Sequence, residues 1–275
     1  VAKGPAPTSR GPAFFYGRVL SSAALPRRAA IAIGAGMTAP ALIDGSTDIL
    51  LVADHASNLV PAGVDLGIAA DLLHDHIAVD IGTDALTRCL AAQLLAPAVI
   101  ATVSRLVVDV NRAPEDAGAI PASSDGHVIP GNWALTEAER DLRLAAIHVP
   151  YHAAVAAEIA RRRPALIVSI HSFTPRLATM PNGERPWPVG ILYNHDDRAA
   201  RHGLLALASR GLHVGDNQPY SGRDLNYTMN RHAEAADIPY LGVEVRNDGL
   251  ADAAGCMHWA DLLAAVIGEV HRALG

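Results

Sequence analysis

The chain has 275 residues, half of them hydrophobic, 18% charged and only 4% aromatic, with a formal net charge of −6. That length suits one large domain with a substantial core, and an apolar content dominated by Ala, Val, Leu and Ile suits helices packed on buried strands. The acidic balance, with Arg161-Arg162-Arg163 as the longest basic run, excludes a broad nucleic-acid-binding face.

No uninterrupted apolar run reaches the ~20 residues that a membrane helix requires. Cys89 and Cys256 sit in separate apolar segments without metal-ligand spacing. They read as core thiols of a reducing, cytoplasmic setting rather than as a zinc knuckle or a redox pair. Residues 1–45 read as a partly irregular N-terminal extension, poorly ordered through residue 37. Residues 46–275 read as a single domain.

In chain order, residues 48–53 form a compact apolar run typical of a buried strand. Residues 69–95 carry helical spacing interrupted near Asp80-Ile81-Gly82, and Pro97 ends that stretch. Residues 98–110, rich in Val, Ile and Thr, read as strand that runs to Asn111-Arg112. Residues 114–133 form a long Gly/Pro/Ser/Asp-rich connection, a length more typical of lids and binding loops than of spacers. Thr136 with Glu139 predicts a capping box that opens a helix to about Arg163, and Pro164 closes it. Further strands are expected over 165–170, 189–193 and 240–245, and further helices over 198–210 and 251–274. The alternation predicts an α/β fold, one mostly parallel sheet with helices on both faces.

In such sheets, active groups gather beyond the carboxyl ends of the strands. Strand 48–53 runs into Asp54-His55-Ala56-Ser57-Asn58, strand 165–170 into His171-Ser172-Phe173, and strand 240–243 into Glu244-Val245-Arg246. Residues 106–112 deliver Asp109, Asn111 and Arg112. Two histidines and a carboxylate from separate strands fit a metal site with one open position. Glu244, embedded in an apolar strand, suits a general base because burial raises a carboxyl pKa. An ion pair with Arg246 is its plainer role. His148 and His152 have the i, i+4 spacing of zinc helices but no Glu follows His148, so they read as packing or surface residues.

These motifs resemble the N-formylglutamate amidohydrolase family over about residues 48–270. They are Asp54 to Asn58 with Pro61, His76 to Gly82, Ser104-Arg105 through Asp109 to Arg112, Ser169 to Phe173, Tyr220 to Arg223, and Glu244 to Asp248. The resemblance implies a three-layer α/β/α sandwich of the phosphorylase/hydrolase-like kind, similar to the zinc carboxypeptidase group. It implies a Zn²⁺-dependent amidohydrolase that acts on a small anionic N-acyl amino acid, such as N-formylglutamate. By the same resemblance His55 and His171 are metal ligands and Glu244 is the base. The carboxypeptidase-like pattern has Glu where this chain has Asn58. Asp80 is therefore the expected third ligand, with Asp54 second in order. Asn111 and Arg112 resemble a carboxylate clamp, which Arg105, Arg223 and Arg246 are candidates to join. Two rival readings stay open here: a related zinc hydrolase of another acyl amino acid, peptide or ester, and a noncatalytic metal- or carboxylate-binding relative.

Overall fold

A computed structural model describes residues 38–275; the extension expected up to residue 37 lies outside the described residues. The strands are β1 (Ala41–Ile43), β2 (Ile49–Ala53), β3 (Ala98–Ile100), β4 (Ser123–Ser124), β5 (His127–Val128), β6 (Leu166–Phe173), β7 (Val189–Leu192), β8 (Val214–Asp216) and β9 (Tyr240–Arg246). The helices are α1 (Thr83–Leu94), α2 (Pro130–Trp133), α3 (Glu137–Arg143), α4 (Val149–Arg162), α5 (Arg198–Ala208), α6 (Tyr227–His232) and α7 (Ala253–Leu274).

Seven strands form one sheet in the order β1-β3-β2-β6-β9-β7-β8. Its centre, β3-β2-β6-β9, is parallel, while β1 runs antiparallel to β3 and the β7-β8 pair antiparallel to β9. Strand β1 lies before residue 46, within the segment read as a partly irregular extension. Alternate residues of each central strand feed two separate cores, as the two-residue side-chain period requires. Leu51, Val168 and Val243 pack under α1, α5 and α7. Leu50, Val52, Ile167 and Tyr240 pack against α4, α6 and the irregular segment 101–110. The molecule is the expected α/β sandwich, with helices on both faces of a mostly parallel sheet. Helix α7 is long and apolar enough to span a membrane by length and composition, but its apolar side, including Trp259, Leu263 and Val270, is buried in the first core.

Three expectations need correction. The strand expected over 98–110 stops at Ile100. Ser104 folds the chain back, its Oγ accepting from the Leu106 amide and its carbonyl from the Val107 amide. Such local side-chain bonds compete with a strand ladder, and Leu106, Val107 and Val108 are buried as a packed turn instead. The first part of residues 69–95 is a short 3₁₀ turn, Ala70–His74, rather than an α-helix, while α1 begins after Gly82, at the expected interruption. The connection 114–133 is not structureless: the β4–β5 hairpin turns through Asp125 and Gly126, both with positive φ, a type of turn that favours such residues. Thr136 and Glu139 do form the reciprocal cap of α3. A π-helical turn, Leu144–His148, joins α3 to α4.

Gly82 fixes how α1 leaves the site. Its φ is +82°, and a Cβ there would lie 2.5 Å from Cβ of Leu250. Gly82→Ala is expected to destabilise the fold by about 1–3 kcal/mol, read as a lower urea midpoint, because the substitution combines positive-φ strain with a backbone-level clash. An unchanged midpoint would mean that this corner is not constrained.

Candidate active site

The parallel registry of β6 and β9 sets His171 beside Glu244. Both residues continue the side-chain alternation of Ile167 and Tyr240, so both face the layer of α4, α6 and segment 101–112. Strand β2 ends one residue before Asp54, and the chain then carries His55 over the end of the sheet. The Asp80 amide donates to the His55 carbonyl (2.9 Å), which ties the segment before α1 to this same corner.

Asp80 Oδ2 stands 2.9 Å from His171 Nδ1 and 3.4 Å from His55 Nδ1. One donor atom from each of His55, Asp80 and His171 falls within 4.8 Å of the others, and all three residues are buried. Donors bonded at about 2.0–2.1 Å to one tetrahedral ion stand roughly 3.3–3.5 Å apart, so the donor types and spacing fit a divalent cation with a fourth position free. These are the three residues expected as ligands from the sequence, brought together from the segment after β2, the loop before α1, and β6.

The outer nitrogens of both rings are also held. His55 Nε2 lies 2.7 Å from Asp109 Oδ1, and Arg105 grips the other Asp109 oxygen through Nε and Nη2 at 3.2 and 2.8 Å. Arg105 Nη1 donates to Asp80 Oδ1 at 3.1 Å. His171 Nε2 meets Ser169 Oγ at 3.0 Å and lies 3.5 Å from Asp54 Oδ2. Tyr151 Oη on α4 donates to Asp54 Oδ1. Asp54 keeps the alternation of Leu50 and Val52 toward α4, which places it behind His171 rather than among the three converging donors. Carboxylates behind imidazoles fix ring orientation and tautomer.

The site's charges are strongly coupled to burial. Burial pushes the Glu244 carboxyl up to about 7; Asp80 adds to that push, while His171, His55 and Arg105 oppose it. Burial works against a charge on His171, but the Asp54, Asp80 and Glu244 carboxylates outweigh it and hold the imidazole well above its usual range. Burial and Arg105 likewise oppose a charge on His55, yet Asp109 and Asp80 raise its pKa. Glu244 Oε2 is buried and has no hydrogen-bond partner, an exposed-to-nothing lone pair that a folded protein rarely leaves without use.

His55, Asp80, Asp109, His171 and Glu244 line a cleft of about 270 Å³. Asn111 and Arg112 form part of its wall. Arg112 has one loose carboxylate neighbour, Asp116 at 3.8 Å, and Asn111 Oδ1 accepts from the Thr228 amide. Arg105 lines the cleft too, but Asp80 and Asp109 occupy its donors. Two further arginines expected at the substrate lie elsewhere. Arg223 is exposed, and Arg246 bonds Asp248 and the Arg185 carbonyl; neither lines the cleft. The ion pair considered between Glu244 and Arg246 is therefore replaced by one to Asp248.

The cleft also has a roof, supplied in part by the 114–133 connection whose length suits a lid or binding loop, though the contacts that pin it are not legible in the sequence. Asp125, at the tip of the β4–β5 hairpin, accepts from the amides of Ala178 and Thr179 at 2.8 and 2.9 Å and from Thr179 Oγ1 at 2.6 Å. It also meets His76 Nε2 at 3.0 Å. This single carboxylate joins the hairpin, the 174–183 loop and the His76 turn over the site. The Asp125-Gly126 pair was the available signal, since it marks a hairpin turn, but nothing local shows what the hairpin covers.

Comparison with known proteins identifies the fold and the family. No curated protein matches the chain. A solved structure of a gene product from Agrobacterium tumefaciens is 36% identical, with a TM-score of 0.81 over 85% of this chain and 94% of the other. The N-formylglutamate amidohydrolase of Ralstonia eutropha JMP134 shares the fold at 18% identity, with a TM-score of 0.67 over 86% of this chain and 97% of the other. The sequence model of the N-formylglutamate amidohydrolases matches residues 47–251, a span that includes every residue of the site just described, and the chain belongs to that family.

Proposed function

We propose that this protein is a zinc-dependent hydrolase that cleaves the formamide bond of a small, anionic N-formyl amino acid such as N-formylglutamate. The observation that carries the reading is the meeting of His55, Asp80 and His171 donors beside the unpartnered, buried Glu244. Membership of the amidohydrolase family supports the reaction class. A cleft of about 270 Å³ under the Asp125-pinned roof suits a small substrate rather than a polymer.

His55, Asp80 and His171 would hold the ion; two imidazoles and one carboxylate are a donor set that suits Zn²⁺. When bound, such an ion supplies Lewis-acid polarisation of the formyl carbonyl and a water of lowered pKa. Glu244 takes a proton from the attacking water and hands it to the departing nitrogen, so that formate and the free amino acid leave. A carboxyl held near 7 by burial can both accept and return that proton near neutral pH. Arg112 forks onto a substrate carboxylate, and Asn111 beside it adds an amide donor. Arg105 acts through Asp109 and Asp80, as a positioning residue for His55 rather than as a substrate ligand.

Formate release from N-formylglutamate by the zinc-loaded protein tests the activity directly. Hydrolysis of other acyl amino acids but not of N-formylglutamate would move the assignment to a related hydrolase. Glu244→Gln is expected to lower kcat by about 10³-fold or more while bound zinc stays near one equivalent, since the amide cannot cycle the proton. An active Gln variant would remove Glu244 from the mechanism. Asp109→Asn is expected to weaken zinc binding by roughly 10–100-fold in chelator competition, with the fold intact by circular dichroism. Wild-type zinc affinity in that variant would show that the Asp109 contact does not orient His55.

A further inference from the structure

Three histidines lie outside the metal-ligand set and outside the lining of the cleft, yet all three are buried: His148 at 2% exposure, His152 at 3% and His232 at 8%. His148 closes the π-helical turn, His152 follows one turn later on α4, and His232 ends α6. Their rings pack together, His148 against His152 at 4.3 Å between centroids and His232 nearly parallel to His152 at 5.1 Å, with Tyr227 edge-on to His152.

The polar contacts of this cluster all point one way. His148 Nε2 lies 2.9 Å from the Arg112 carbonyl, and His152 Nε2 lies 2.9 Å from the Val110 carbonyl. A carbonyl only accepts, so both Nε2 atoms carry hydrogen. That leaves Nδ1 of neutral His152 as an acceptor, and His232 Nε2 stands 2.9 Å from it as the donor. Between the two carbonyls, the Asn111 side chain accepts from the Thr228 amide of α6 at 2.9 Å. Three consecutive residues, Val110, Asn111 and Arg112, are thus tied to the π-helical turn, α4 and α6, although they belong to no strand or helix of their own. Burial lowers the His152 and His232 pKa values to about 3 and about 4, so the neutral rings that this donor order requires persist at ordinary pH.

We propose that His148, His152 and His232 form a positioning frame that holds the Asn111-Arg112 backbone at the orientation needed to bind a substrate carboxylate. This rests on the Arg112 role proposed above and deepens it. The frame touches no substrate. It fixes the backbone from which the guanidinium projects, and a misplaced fork cannot make both of its parallel hydrogen bonds to a carboxylate. A buried carbonyl left without its donor would move toward another partner and carry Arg112 with it.

The test compares the zinc-loaded wild type with His148→Phe, which keeps the ring volume and removes the donor, and with His148→Gln, which returns an N–H. Glutamate binding is measured by titration calorimetry, and kcat and KM are measured on N-formylglutamate and on N-formylglutamine amide, which lacks carboxylates. The frame predicts that His148→Phe raises KM for N-formylglutamate and weakens glutamate binding by roughly tenfold. Meanwhile kcat, zinc content and KM for the neutral amide move by less than about twofold. His148→Gln is expected to recover most of the loss. Unchanged glutamate affinity in His148→Phe, or an equal loss on the neutral amide, or no recovery with Gln, overturns the frame. A wild type that binds glutamate about tenfold more tightly than His148→Phe but releases no formate would sink the proposed activity and leave the frame standing. Formate release with both variants at wild-type affinity would do the reverse.

Discussion

The organisation of this molecule turns on the concentration of buried charge at one end of a parallel sheet. Asp54, Asp80, Asp109 and Glu244 are all nearly inaccessible, and so are His55 and His171. Isolated carboxylates in such a place would be costly, and the neighbouring cations make the arrangement tenable. Arg105 spans Asp80 and Asp109, and the two imidazoles stand between Asp80 and the outer carboxylates. Both imidazole pKa values are raised, despite the opposing effect of burial. A divalent cation among these donors would displace protons from the rings, the linkage expected of a metal site that releases protons on loading.

The fold places these groups by simple means. Parallel pairing of β6 with β9 puts His171 next to Glu244, and the side-chain alternation turns both to the same layer. The irregular segment 101–112 then packs over that layer and presents Arg105, Asp109, Asn111 and Arg112 within eight residues. Its lack of regular structure explains why so much outside help is needed to hold it: Ser104 folds its start, the Ala119 carbonyl takes the Asp109 amide, and α4 and α6 hold its end.

What was legible in the sequence was whatever depends on local pattern. Apolar runs at 48–53, 165–170 and 240–245 correspond to β2, β6 and β9, and the polar residues that follow them do converge. The Thr136–Glu139 cap is a local device and forms as expected. Segment 101–110 misled because a packed turn and a buried strand both demand Val and Leu, and Ser104 is too small a signal to separate them. Arg223 and Arg246 sit in motifs at the right places in the chain, but where a long side chain points depends on its neighbours; Asp248 captures one of them. The hydrogen-bond partners of Tyr151, Asp125 and the three framing histidines lie 36 or more residues away, and single-sequence spacing carries no information about such meetings.

The account is tested most directly by diffraction from zinc-soaked crystals at the zinc absorption edge. It predicts one anomalous peak at about 2.0–2.2 Å from Nδ1 of His55, Nδ1 of His171 and a carboxylate oxygen of Asp80. Glu244 is expected within reach of the ion's remaining position. A peak bound by other residues, or none at this corner of the sheet in fully soaked crystals, would contradict it.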